Sequence, residues 1–288
     1  MLIFMNFVAD LDSIATKKLI AFGYKPDAND TAYQRFKMLY TLTERTIPQQ
    51  CYTVVVSTDL LKNPKYKQHQ SVIDEISQRL RTGDDVGPYL SKQAPKLDSK
   101  DDLLIHGGVH HLHLSSISTK GADGFVARGR GQAELLFLRI ENDTAYLIDI
   151  RPHSDKNIFQ DTQILEIVDR NWPSLHFAPK GITGNVFSAE SIKNLRTNNT
   201  NAALHINGRA IFPRMGVFSD GMPMEAVMWH NNLMNQLINL EKDIRRRFFD
   251  YFPPPQWQWI ADIRLTAIEN KSVIIHELIT NQIRRAVF

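Results

Sequence analysis

Three strand-like runs constrain this fold more than any other feature of the sequence: "VHHLHLSS" (109–116), "AELLFLRIEN" (133–142) and "TAYLIDIRPH" (144–153). Each alternates residues with the period of two that a half-buried strand requires. Asn142-Asp143 separates the last two, a spacing that fits a tight antiparallel hairpin. Three strands paired in this way need helices packed around them to be stable.

The flanking sequence offers those helices. "DLDSIATKKLIAFGY" (10–24) and "NDTAYQRFKMLYTLTERT" (29–46) space their apolar residues as helices do. "HQSVIDEISQRLRTG" (69–83) closes on Gly83. "QDTQILEIVDRNWP" (160–173) has Asp161 as a cap and stops at Trp172-Pro173. "SAESIKNLRTNNT" (188–200) opens on a Ser188 cap. Residues 223–252 predict one long helix, broken by "FPPPQW". "YTVVVSTDL" (52–60) reads as a further strand, and Asn207-Gly208 and Asn270-Lys271 as hairpin turns. The expectation is an α+β protein. A small, mostly antiparallel sheet at about 105–153 lies at its centre, surrounded by helices, with additional hairpins towards the C-terminus. Three segments follow: 1–100 helical or α+β, 101–180 the β-rich core with a helix, and 181–288 α+β, together forming one compact domain.

Composition sets the class. The chain of 288 residues is 43% hydrophobic and 23% charged, enough to bury a core without cross-links. Its formal charge of +3 is too small to indicate nucleic acid by itself. The excess lies in 151–288, densest at "KDIRRRFF" (242–249) and "IRRAVF" (283–288). Cys51 is the single cysteine, which leaves no internal disulfide and fits a reducing compartment. It precedes an apolar run and reads as a buried structural thiol. No apolar window is long enough for a membrane helix, and the N-terminus is a poor signal peptide, so the reading is cytoplasmic with no membrane partner.

Period two also sorts the chemistry. His110, Leu112 and Leu114 fall on one face of the first strand, and His111, His113 and Ser115 on the other. In the second strand Leu136, Leu138 and Ile140 oppose Leu135, Phe137 and Arg139. In the third, Tyr146, Ile148 and Ile150 oppose Leu147, Asp149 and Arg151. Antiparallel pairing would then converge His111, His113, Arg139, Asp149, Arg151 and His153 on one surface. Histidines there suit proton transfer, and arginines suit a phosphate. His111, His113 and His153 are the catalytic candidates, Arg139 and Arg151 the phosphate-binding ones, with Asp149 and Ser115 in support. His110, among leucines, reads as structural. The His111–His113 spacing also occurs in zinc enzymes, with His106, Asp149 or His153 as a third ligand, but no second spaced pair follows downstream. The reading is therefore without metal or cofactor.

"VHHLHLSS" resembles the signature of the histidine-triad nucleotide hydrolases, although Ser115 stands where the third histidine belongs. A second resemblance covers about one fifth of the chain. The strand, polar loop and "ELLFLRIENDTAYLIDIRPHSDKNIF" look like the core of RelE/ParE-type toxins. Arg139 matches the arginine of the middle strand, Arg151 and His153 the basic end of the last strand, and Phe159 the trailing aromatic. Pro152 and Asp155 have no counterpart, and the family is normally much shorter. The chain as a whole resembles bacterial and phage proteins of no assigned activity. The RelE/ParE resemblance implies a metal-independent ribonuclease, a toxin or phage-defence factor. The 2′-hydroxyl would be the nucleophile, histidines would be acid and base, and RNA, an antitoxin or a second copy of the chain would be partners. The rival classes are a histidine-dependent phosphohydrolase and a non-enzymatic assembly protein that docks through the 223–252 helix and the Pro/Trp segment.

Overall fold

A computed structural model describes residues 1–96, 101–128, 134–155, 158–159, 162–214, 216–219, 223–253, 259–269 and 272–287. The fold is α+β. In chain order its strands and helices are β1 (Leu2–Met5), α1 (Phe7–Ala21), α2 (Ala32–Glu44), β2 (Thr53–Val56), α3 (Thr58–Lys62), α4 (Lys65–Thr82), α5 (Asp102–Gly107) and β3 (Val109–His113). These are followed by β4 (Glu134–Glu141), β5 (Thr144–Pro152), α6 (Gln163–Asn171), α7 (Ala189–Thr197), β6 (Leu204–Ile206) and β7 (Arg209–Ile211). The chain closes with α8 (Met224–Arg246), α9 (Phe248–Tyr251), β8 (Ile260–Glu269), β9 (Ser272–Glu277) and β10 (Gln282–Val287). Two compact units emerge: Met1–Thr41 with Ala226–Phe288, and Leu42–Glu225.

The first unit is built on a sheet of order β1-β8-β9-β10, with β1 parallel to β8 and the other pairs antiparallel. Phe7 and Leu11 of α1 and Leu237 and Ile244 of α8 join Ala261, Ile263 and Ile275 in its core. The long helix expected at 223–252 ends at Arg246, and a short helical turn follows. The hairpin expected at Asn270-Lys271 forms, with β8 and β9 in antiparallel register. The two turn residues themselves, the Asp161 cap and most of the Pro/Trp segment lie outside the described residues.

The second unit holds the central sheet, of order β2-β5-β4-β3. β2 is parallel to β5, while β3–β4 and β4–β5 are antiparallel. Asn142 takes φ +50° in the β4–β5 turn, and Asn207-Gly208 takes +47° and +79° in the β6–β7 turn. Asparagine and glycine tolerate that left-handed backbone best. Apolar layers cover both faces. Leu112, Leu136, Leu138 and Leu147 pack with Ile73, Ile76 and Leu80 of α4. Val109, Leu135, Phe137 and Ile148 pack with Ile164, Leu165 and Val168 of α6.

Two local expectations change. The strand read at 52–60 ends at Val56, because the buried Ser57 turns the chain into α3: its Oγ accepts from Leu60 N at 2.8 Å and donates to Ile148 O at 2.5 Å. Cys51 is exposed rather than buried, since it lies ahead of β2.

Candidate functional site

The approach to β3 is set by Gly108. Its φ of +67° favours glycine, and a Cβ there would collide with Arg214 Cδ. Just upstream, Asp101 caps α5, its Oδ1 accepting from Leu104 N at 3.0 Å. The other oxygen, Oδ2, lies 3.8 Å from His111 Nδ1. One carboxylate therefore fixes the helix start and faces the first candidate imidazole.

The register brings the expected residues onto one face but not into one site. His111 pairs with Phe137, and Phe137 with Asp149; His113 pairs with Leu135, and Leu135 with Arg151. Directly paired residues share a face. The sheet therefore places buried Phe137 and Leu135 between His111 and His113 on one side and the Asp149–Arg151 pair on the other. Two strand spacings of about 4.8 Å separate the two groups. A bulge between Phe137 and Leu138 further breaks the period on β5. Leu147 pairs with Leu138 in the α4-side core, whereas Ile148 joins the α6-side core, so Leu147 does not share the face of Asp149 as strict alternation required.

Three separate environments result. The His113 and His153 rings lie 5.9 Å apart in a stacked arrangement, and His111 lies 5.1 Å from the Phe159 ring. His111 and His153 line a cavity of about 260 Å³ with His110, Arg45, Asp101, Asp102 and Phe159. Asp149 and Arg151 instead line a cleft beside Lys62, Lys65 and Arg170. There Asn63 Nδ2 donates to Asp149 Oδ1 at 2.7 Å, and Arg151 Nε lies 2.7 Å from Asp149 Oδ2, an ion pair by distance without an aligned hydrogen bond. Arg139 opens onto a third cavity and donates to Glu141 through Nη2 at 2.8 Å. Ser115 follows the end of β3, where its backbone N–H donates to His113 O at 3.0 Å.

Burial dominates the electrostatics of the cluster. It pushes His113 down to about 3, helped by Arg128, His111 and His153. It pushes His110 down to about 3, with His111 and Arg214 adding to the effect. His111 is also lowered by burial, opposed by Asp101. Burial therefore keeps these rings neutral at physiological pH. The Nδ1 atoms of His111 and His113 are buried and have no hydrogen-bond partner among the described residues. Buried polar atoms are usually satisfied, which makes these two unusual.

Arg45, Arg128 and Asp101 complete this environment and were not singled out in the sequence. Arg45 is buried and donates to Lys96 O. Arg128 sits in a glycine-rich stretch, where its charge gives no periodic signal. The Asp101-Asp102 pair directly before an apolar turn was the legible clue to a helix cap facing the strand. Among the described residues, no group of three or more His, Cys, Asp or Glu side chains has the arrangement to hold a metal ion. No described helix is long and apolar enough to cross a membrane.

No family model, curated protein or solved structure matches this chain.

Proposed function

We propose that the His111–His113–His153 cluster is the active site of a metal-independent, RelE-like ribonuclease. The observation that carries this reading is the unpartnered Nδ1 of buried His111, on a polar cavity that also holds a guanidinium and a second reachable imidazole. Neutral His111 takes the proton of a ribose 2′-hydroxyl. That oxygen attacks the adjacent phosphorus, and the 5′-oxygen leaves with a proton from His153, the exposed ring of the cluster. The products are a 2′,3′-cyclic phosphate and a free 5′-hydroxyl. Arg45 and Arg128 are the guanidiniums placed to hold the charge on phosphorus. Arg139 and Arg151 line other cavities, so this reading does not use them. His113 stacks on His153 and positions it.

The resemblance of "ELLFLRIENDTAYLIDIRPH" to RelE/ParE-type cores supports the same chemistry. It brings with it a toxin or phage-defence role and an inhibitory protein partner. The test is RNA cleavage by purified protein in EDTA, alongside His111→Ala, His113→Ala and His153→Ala. Loss of cleavage in folded variants, with cyclic-phosphate ends on the wild-type products, supports the proposal. A wild type that leaves RNA intact, with histidine variants that lose stability, sinks it in favour of an assembly protein. For that rival, α8 is the surface to examine: Met228 is exposed, and Trp229 stacks on Phe36 at 4.5 Å.

A further inference from the structure

The third cavity, which receives Arg139, lies wholly in the second unit and measures about 110 Å³. Leu165, Ile192, Ile211 and Phe212 give it mainly apolar walls. Its polar groups are mostly cationic or donors: Arg139, Arg196, Arg214, His106 and His176. Arg139 and Arg214 approach one carboxylate, Glu141, at 2.8 and 3.7 Å. Glu44 is the other carboxyl that acts on Arg214, and burial raises its pKa, which favours its neutral form. Arg196 is 5% exposed and donates to Phe159 O at 2.5 Å, with Asp101 and Asp102 in electrostatic range.

His176 is the group left over. Its side chain is 4% exposed, and neither ring nitrogen has a hydrogen-bond partner among the described residues. Asp169 lies 3.6 Å from His176 Nδ1, beyond hydrogen-bond length, so it acts on the ring through its charge, and it already accepts from Arg209 at 2.8 Å and Asn207 at 3.2 Å. A buried imidazole with both nitrogens unmet costs stability unless something else satisfies it. It lines the same cavity as Arg139 and Arg214, which share Glu141.

We propose that this cavity binds a small carboxylic acid with an apolar body. The carboxylate accepts from His176 and from the Arg139–Arg214 pair. The body lies against Leu165, Ile192 and Phe212. A dry cavity of about 150 Å³ holds benzene, so this smaller one suits a body of about three to four carbons. The inference is independent of the histidine site on β3, which it neither needs nor alters.

The full-length protein is titrated calorimetrically at neutral pH with butanoate and 3-methylbutanoate, then with the corresponding amides and with inorganic phosphate. The acids bind saturably, and the amides bind at least about tenfold more weakly because charge-assisted hydrogen bonds are lost. Ala202→Phe, at a half-exposed lining position, removes binding by filling the cavity. His176→Phe weakens the acids more than the amides. Equal binding of acids and amides overturns the assignment, as does phosphate binding as tightly as the acids. Absence of saturable binding of either acid up to about 10 mM also overturns it, since even small ligands with fitted polar contacts bind within that range. The wild-type comparison of acid with amide decides the matter even where a variant fails to fold.

Discussion

Asp101 Oδ2 lies 3.8 Å from His111 Nδ1, while the same carboxylate caps α5 through Leu104 N. The distance is too long for a hydrogen bond but short enough for the charge to act. Asp101 opposes the burial that lowers the His111 pKa. Replacing it with Asn keeps an oxygen for the cap and removes the charge. Asp101→Asn should therefore lower the His111 pKa further and move the acid limb of the cleavage profile to lower pH. NMR titration of the imidazole reads the first effect and rate profiles the second. An unchanged titration would show that the carboxylate serves the helix alone.

Acid lability follows from the buried imidazoles. His110 and His113 are held down to about 3 and His176 to about 4, each by burial first. The unfolded chain takes up these protons near pH 6.5, whereas the folded chain refuses them. The associated stability is fully present above pH 6.5. It is lost as pH falls towards the folded values, at up to about 1.4 kcal/mol per pH unit for each ring. Denaturant midpoints should drop between pH 7 and pH 5, before the carboxylates titrate. His113→Phe should flatten that slope. A midpoint constant across this range would mean that the rings are hydrated or paired in solution.

Ser57 joins two elements through one hydroxyl. It caps α3 at Leu60 N and donates to the carbonyl of Ile148, the extra residue at the bulge on β5. Ser57→Ala leaves both groups unmet in a buried setting and should cost about 2–3 kcal/mol. Urea unfolding measures this. A loss below about 0.5 kcal/mol, the range of ordinary surface changes, would show that the cap is dispensable.

β4 and β5 were legible as strands because their apolar runs, too short for helices, fill both faces through residues such as Leu136, Phe137 and Ile148. The Asn207-Gly208 hairpin was legible because its positive φ angles demand such residues. β1 was not, since "LIFM" is apolar throughout and carries no period. β10 was not, because it runs against hydropathy: Ile283 and Val287 are exposed, while Arg284 turns inwards and donates to Tyr251 O at 2.7 Å. The histidine face could be sorted by period two, but the site could not. Which residues meet depends on register, and register places Phe137 between His111 and Asp149. Arg128 and Asp101 lie in connections without periodicity, so their approach to the histidines depends on tertiary structure.

That partition gives a direct test of which arginines serve the histidines. Asp149 is buried and held by Asn63 as well as Arg151, and both lie in the cleft beside Lys62 and Arg170. Arg151→Gln should leave RNA cleavage within about twofold of wild type, since Arg151 lines a different cavity from His111 and His153. It should cost about 1–3 kcal/mol in stability, because a buried carboxylate loses its counter-charge. Arg128→Gln should do the reverse, reducing cleavage by about a hundredfold with little loss of stability, if its charge serves the phosphorane. Cleavage assays and urea melts on the two variants read both axes. A cleavage defect confined to Arg151→Gln would move the phosphate site into the Asp149 cleft and separate it from the histidines.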